Sequence, residues 1–253
     1  TAVERLRQRL TMRKKRKTTG GISLLIYGFP LPLMLFSLSI GSASEVTWAD
    51  FWHWLSPVAG QVEHGKAAMV KNIIEQVRMP RVLLTFLVGA ALATSGNTLQ
   101  AIFRNPLADS YVLGISSGAA FGAALAINSG SVPLNLTAFL FGLLAVCLAF
   151  YFGKSKDSNS MVTIVLSGMI VKGLFTAGLT VIQYMSDPYK LQTIVQWTMG
   201  NLHQASWLKL NQAFIPLCLS LALIFVFRWK LNILALGDDE AKAVGINPQL
   251  WKY

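Results

Sequence analysis

The run Leu136-Thr-Ala-Phe-Leu-Phe-Gly-Leu-Leu-Ala-Val-Cys-Leu-Ala-Phe-Tyr-Phe-Gly153 carries no charged side chain, and its length decides the fold. As an α-helix rising about 1.5 Å per residue it covers most of the roughly 30 Å hydrocarbon layer of a bilayer. Five further runs, near Ile22–Gly41, Val82–Phe103, Val112–Asn128, Met161–Tyr184 and Leu210–Phe227, are similarly apolar, with Lys172 their single charged residue. A chain of 253 residues that is 53% hydrophobic and 13% charged, with mean hydropathy +0.50, is too apolar for an ordinary soluble domain. The expected fold is all-α, a polytopic transmembrane helix bundle with six spans in this chain. A strand barrel would need spans of about ten residues with alternating polarity, which these runs lack.

The net charge of +11 raises nucleic acid as a partner, and its distribution decides against it. With a cytoplasmic N-terminus and alternating spans, fifteen of the 22 Lys and Arg residues fall inside, from Arg5 to Lys17 in the tail and on to Arg104, Lys154, Lys156, Arg228, Lys230, Lys242 and Lys252. Six fall outside, namely Lys66, Lys71, Arg78, Arg81, Lys190 and Lys209, and Lys172 alone is left within a span. This is the positive-inside asymmetry, so the charge orients the chain and meets anionic lipid; no nucleic acid is expected. The basic Arg13–Lys17 precedes a span-length run without a small-residue cleavage site, which reads as a retained first span. Cys147 and Cys218 both lie in apolar runs and read as buried thiols.

The whole of 1–253 reads as one transmembrane domain, with a basic cytoplasmic tail over 1–19, an external loop over 43–81 and a cytoplasmic segment over 229–253. Within the loop, Thr47-Trp-Ala-Asp-Phe-Trp-His-Trp-Leu55 predicts a short interfacial helix, capped by Thr47 and Asp50, with its tryptophans at headgroup depth. Met69–Val77 predicts another amphipathic helix. Phe103–Ser110, with Pro106, reads as a cytoplasmic turn. Gly114, Gly118 and Gly122 recur at every fourth position, which on a helix makes one smooth face for close packing. The polar stretch Met185–Trp207 predicts an external helix near the membrane surface.

Missing chemistry narrows the function. All 11 acidic residues fall in loops or tails, whereas ion-coupled transporters need an acid or comparable ligand at membrane depth. An ion-coupled secondary transporter or channel is therefore the alternative reading, and a membrane-embedded enzyme a third. His53, His64 and His203 lie outside the spans with no zinc spacing, and no phosphate-binding glycine loop ending in Lys-Ser or Lys-Thr occurs. No catalytic residue, metal site or cofactor is expected, and any ATP must be bound by a different chain. Lys172 lies roughly 16 Å from either end of its span at about 1.5 Å per residue. Facing lipid there costs about 2.5 to 3.5 kcal/mol on insertion scales, so it faces protein or water. Packing and lining a substrate path are both open to it. Ser95, Asn97 and Gln100 read as interhelical hydrogen-bonding groups.

After the last span comes Ala235-Leu-Gly-Asp-Asp-Glu-Ala-Lys-Ala-Val-Gly245. Gly237 opens a helix, Asp238, Asp239 and Glu240 fill the first turn where the dipole favours anions, and Gly245 with Pro248 ends it. About two turns are too short to be stable alone. A partner surface is implied, unless the segment is an ordinary connector between spans.

Several motifs in register now carry a resemblance. Arg78-Met-Pro-Arg81, Leu87-Val-Gly-Ala-Ala-Leu-Ala93, Ser95-Gly96, Gln100, Arg104-Asn-Pro-Leu-Ala108, Leu113-Gly-Ile-Ser-Ser-Gly118, Trp197-Thr-Met-Gly200 and Leu234-Ala-Leu-Gly-Asp238, continuing through Gly245, resemble the permeases of iron-siderophore, haem and cobalamin ABC importers. The resemblance implies a permease, homodimeric or pseudo-dimeric, in the inner membrane of a bacterium, with ATP-binding cassette ATPase subunits below and a soluble or lipid-anchored substrate-binding protein outside. It implies that Arg78 and Arg81 dock the binding protein, and that Gly237, Asp238, Asp239, Glu240, Ala241 and Gly245 belong to the coupling helix that seats in the ATPase. It places a cytoplasmic gate at Ser160, Met161 and Val162, and the translocation path along the fifth span. Members of that family have ten spans, so the chain is expected to be truncated, with the second half of the family fold missing.

Overall fold

The computed structural model describes residues 28–41, 46–55, 64–106, 108–154, 161–248 and 250. Every regular element among them is helical. In chain order these are α1 (Pro30–Ser39), α2 (Trp48–Leu55), α3 (His64–Asn72), a π-helical stretch (Ile73–Arg78), α4 (Met79–Phe103), α5 (Ile115–Ser129), α6 (Leu134–Gly153), α7 (Met161–Met185), α8 (Pro188–Met199), a 3-10 turn (Leu202–Gln204), α9 (Trp207–Leu236) and α10 (Asp238–Ala243). Among the described residues four helices are long and apolar enough to cross a membrane: Lys66–Phe103, Leu134–Gly153, Val162–Met185 and Trp207–Leu236. The two other expected runs form shorter helices. α1 has ten residues, beginning at Pro30 with Phe29 as its N-cap; residues 1–27 lie outside the described part. α5 has 15 residues, about 22 Å at 1.5 Å per residue, because Gly114, at φ +77°, delays its start by turning the chain first.

The chain divides into two compact units, one of Thr1–Phe86 with Gln204–Asn211, the other of Leu87–His203 with Gln212–Tyr253. In the first, Leu38, Val46, Phe51, Val70 and Ile74 form a buried cluster. α2 starts where it does because Thr47 and Asp50 cap it reciprocally. The Thr47 N–H and hydroxyl donate to Asp50 Oδ2 at 2.9 and 2.7 Å, and the Asp50 N–H approaches Thr47 Oγ1 at 3.4 Å. Lys66 Nζ adds an ion pair to Asp50 Oδ1 at 3.1 Å. These hydrogen bonds, the Thr47 hydroxyl first, outweigh burial and hold the Asp50 carboxyl down at about 2.

α3 runs into α4 without a break, and the ladder slips to a wider register just before Pro80. The Met79 N–H reaches back to the Ile74 carbonyl, and Pro80 has no N–H to give. The Glu75 carbonyl is thereby released from the helix, and it accepts the Trp207 indole N–H at 2.9 Å. The Glu75 carboxylate takes the Trp54 indole N–H at 3.2 Å. Sequence periodicity gave no hint of this π stretch, since it reads only which face is apolar.

In the second unit α5, α6 and α7 pack together at backbone distance. A Cβ on Gly118 would lie 2.5 Å from the Phe141 carbonyl oxygen, and one on Gly122 2.7 Å from that of Thr137. On α7, Gly168 receives the Val112 carbonyl in the same way, at 2.5 Å from its would-be Cβ. Gly114 is the left-handed residue ahead of α5 and faces the α7 backbone at Lys172. It therefore serves as a turn and stands apart from the face made by the other two. Ala145, Ala149, Ile164, Val171 and Phe175 fill the shared core. α8 is started by Asp187, whose carboxylate accepts the Lys190 N–H at 3.0 Å, and by Pro188 in its first turn. Lys190 Nζ donates to the Asn128 carbonyl at 2.9 Å, tying α8 to the end of α5.

Gly118→Ala and Gly173→Ala make the same chemical change at a closed and an open position, since nothing lies within 4 Å of a Cβ at Gly173. Overpacking costs about 1 to 3 kcal/mol, so Gly118→Ala is expected to lower the thermal unfolding midpoint in detergent by several degrees and Gly173→Ala to leave it in place. Asp50 gives a pH dependence. A carboxyl whose folded pKa is depressed adds stability above its unfolded value near 4, and loses it as pH falls through the folded value of about 2. Acid titration of unfolding is expected to show this loss between about pH 4 and 2, and Asp50→Asn to remove it.

Candidate functional site

α10 is six residues long, and its capping explains how so short a helix persists. The Gly237 carbonyl accepts the Ala241 N–H at 3.1 Å, which closes the first turn. A side chain at Gly237 would run into the Glu240 carboxylate, and its φ of +154° also favours glycine. At the other end the Ile246 N–H reaches the Ala241 carbonyl and the Gly245 N–H that of Lys242, both at 2.9 Å. With Gly245 at φ +82° this is a Schellman cap, and its apolar contact is present too. Ala241 and Ile246 are buried against Ile233 and Leu234 at the end of α9. The segment is thus seated on its own chain, and part of the support expected from a partner is internal. Its outer face exposes Leu236, Asp239, Glu240, Lys242, Ala243 and Val244, and Lys242 Nζ stands 3.8 Å from Asp239 Oδ1.

Sequence reasoning missed the residue that ties α10 to α4. Arg104, just past the end of α4 at φ +50°, forms an ion pair with Asp238. Nothing in spacing joins residues so far apart. The available signals were a basic residue in a proline turn and an acidic first turn assigned to the same side of the membrane. The polar residues of α4 hold that turn. Gln100 Nε2 donates to the Ala108 carbonyl at 3.1 Å, and Ser95 and Ser110 hydroxyls meet at 2.8 Å. The interhelical bonding expected of Ser95 and Gln100 is therefore local, between a helix and the loop that follows it. Asn97, with Thr94 and Thr98, instead lines a cleft of about 490 Å³ whose other wall is Leu221, Phe225, Arg228 and Asn232 of α9.

At the opposite end of α4 the two arginines differ. Arg78 is only 6% exposed, and its Nη1 donates to the carbonyls of Leu38 and Ser39 at 3.0 and 3.1 Å. A cation on the last carbonyls of a helix satisfies groups that α1 cannot pair itself and complements its dipole. Gly41 allows the approach, for a Cβ there would be 2.6 Å from Arg78 Nε. Arg81 is half-buried, and with Arg78, Ser37 and Thr85 it lines a cleft of about 300 Å³ between α1 and α4.

Of the residues expected at the gate, Ser160 lies outside the described part. Met161 opens α7, and Val162 is 73% exposed. Lys172 stands at the middle of α7 on its exposed side. One face of α7 is buried through Ile164, Ser167, Val171 and Phe175, with the Ser167 hydroxyl 2.5 Å from the Ala149 carbonyl of α6.

With this geometry in place, the chain can be set beside known proteins. A profile of the FecCD transport family matches residues 29–253. The molybdate import system permease protein MolB of Haemophilus influenzae is 39% identical over 222 residues, covering 85% of this chain and 63% of that protein. The vitamin B12 import system permease protein BtuC of Klebsiella pneumoniae is 34% identical over 254 residues, covering 96% and 68%. A solved structure assigned to the metal-chelate type of ABC transporter, in an inward-facing conformation, superposes with TM-score 0.74 at 34% identity and covers 94% of this chain and 70% of that one. The chain thus spans under two thirds of the length of the molybdate relative.

The cap of α10 supplies a local test. Forcing a β-branched residue into a left-handed conformation costs about 1 to 2 kcal/mol, so Gly245→Val is expected to speed hydrogen exchange at the Gly245 and Ile246 amides about tenfold. Exchange in α6 is expected not to change; a global rise would show that the cap is not a local device.

Proposed function

The chain belongs to the FecCD transport family, and from that membership we propose that it acts as the membrane-spanning permease subunit of an ATP-driven importer. In this reading the four long helices, together with α1 and α5, are the six spans of a single permease domain in the inner membrane of a bacterium. The positive-inside asymmetry puts the N-terminal tail and α10 on the cytoplasmic side. Binding and hydrolysis of ATP occur in cassette ATPase partners, since the sequence offers no phosphate-binding glycine loop. A second permease copy completes the path, and a substrate-binding protein delivers cargo from outside.

One observation carries the proposal: a six-residue helix, capped at both ends and clamped by Ala241, Ile246 and Arg104, presents a charged and apolar face, with Asp239, Glu240 and Lys242 on it, that its own chain leaves uncovered. That is what a lever needs. It must be stiff enough to transmit a push and open enough to receive one. Asp239 and Glu240 contact the ATPase in this reading, and movement there rocks the spans between outward- and inward-open packings. Ser160, Met161 and Val162 gate the cytoplasmic end, and α7, the fifth span, lines the path.

At the outer end, Arg81 makes the contact with acidic residues of the binding protein. Arg78, spent on α1, holds the edge in shape. The cargo is a metal chelate, of the iron-siderophore, haem or cobalamin kind; a relative named as a molybdate permease makes an oxyanion the competing cargo.

The test is transport by the complex assembled from the full-length permease. Glu240→Lys is expected to cut ATP-driven uptake tenfold or more while the ATPase still hydrolyses ATP, which is uncoupling. Uptake that survives ATP depletion but collapses with an uncoupler of the proton gradient would overturn the proposal in favour of ion coupling.

A further inference from the structure

Lys172 is a cation at the middle of a 25-residue helix, and its surroundings on α7 say what it faces. At about 100° per residue, Thr176 and Thr180 stand about 40° and 80° further round the helix, so the three side chains make one polar stripe. The stripe is exposed throughout. Both threonine hydroxyls donate to carbonyls one turn back, Thr176 to Lys172 at 2.8 Å and Thr180 to Thr176 at 3.0 Å, which leaves their oxygen lone pairs facing outward. Beyond the stripe lies a separate apolar strip of Leu166, Ile170, Leu174 and Val181, also exposed. Met169 and Val162, which precede Lys172 on the same side, are exposed and apolar too, so the stripe is polar only from Lys172 toward the C-terminal end of α7, and the strip of Leu166, Ile170, Leu174 and Val181 excludes Lys172.

No counter-ion for Lys172 is found among the described residues, and α4, α5, α6, α7 and α9 carry no Asp or Glu at all. A lysine at this depth without a carboxylate needs water or an anion that arrives and leaves. We propose that Lys172 faces the aqueous translocation path and makes it selective for anionic cargo, an oxyanion or a chelate of net negative charge. This rests on the importer reading for the word cargo, and on the divided face of α7 for the charge. In a homodimer two such lysines would face one path and reinforce each other, because a low-dielectric wall focuses the field of the charges it holds.

The charge preference can be read without knowing the cargo. In the full-length permease within its complex, Cys147 and Cys218 are replaced by Ala and Thr176→Cys is introduced one turn from Lys172. Labelling rates are then compared for an anionic sulfonatoethyl and a cationic trimethylammonioethyl methanethiosulfonate. The anionic reagent is expected to be favoured, with the ratio falling about tenfold in Lys172→Gln and persisting in Lys172→Arg. No labelling by either reagent would place the stripe outside water and overturn the proposal, as would a ratio that Lys172→Gln leaves unchanged. Cargo recovered from the cognate binding protein is expected to be anionic by mass spectrometry, and a neutral or cationic one overturns the selectivity. ATP-driven uptake by the same complex separates the two readings. Uptake with no charge preference sinks only the role of Lys172, whereas charge-selective labelling without ATP-driven uptake sinks the importer.

Discussion

Backbone contact between α5, α6 and α7 is the constraint on which the second unit depends. Helices in lipid gain little from hiding apolar side chains, because the lipid tails are equally apolar, so close packing must supply the attraction. Gly118 and Gly122 let α5 approach the Phe141 and Thr137 carbonyls of α6, and Gly168 admits the Val112 carbonyl to α7. Alanines do the rest of the filling: Ala145 and Ala149 are fully buried. Once one face of α7 is committed to that contact, its other face is fixed as well, and with it the placement of Lys172, Thr176 and Thr180.

The first unit solves a different problem, that of unpaired backbone. α1 ends with carbonyls that no helix N–H can reach, and Arg78 supplies the missing donors. The π stretch releases the Glu75 carbonyl, and Trp207 takes it. Both repairs centre on Arg78-Met-Pro-Arg81, where proline loosens the ladder and arginine closes a neighbouring one. That motif is consequently a structural joint as well as a candidate docking edge, and its first arginine is mostly engaged before any partner arrives.

Much of this was legible in the sequence. Long apolar runs gave the four strongest helices, because a span needs only length and composition. Gly237 and Gly245 gave the ends of α10, because each marks a backbone conformation that other residues resist. Thr47 and Asp50 gave the start of α2 through a short-range hydrogen-bond pattern. What escaped was long-range or positional: the Arg104–Asp238 pair, the π register before Pro80, and the inward turn of Arg78. Pattern reading knows which residues are charged or apolar, but it holds no information on what lies opposite them. The same limit explains the short α5, where hydropathy continued upstream but Gly114 turned the chain before the helix began.

The strengths of its two attachments decide how α10 can move. Burying an isoleucine side chain is worth about 1.5 to 3 kcal/mol, so Ile246 and Ala241 fix the segment firmly to Ile233 and Leu234 on α9. The Arg104–Asp238 pair is more than a third exposed on both sides, and pairs of that kind are worth about 0 to 1 kcal/mol. A force on α10 would therefore break the link to α4 long before it detached from α9. In the importer proposed above, α10 and the end of α9 would move as one body, with Arg104 as a releasable latch, and displacement would travel along the 30-residue α9. Pro216 within that helix interrupts the ladder at a point where such a displacement can be taken up as a bend.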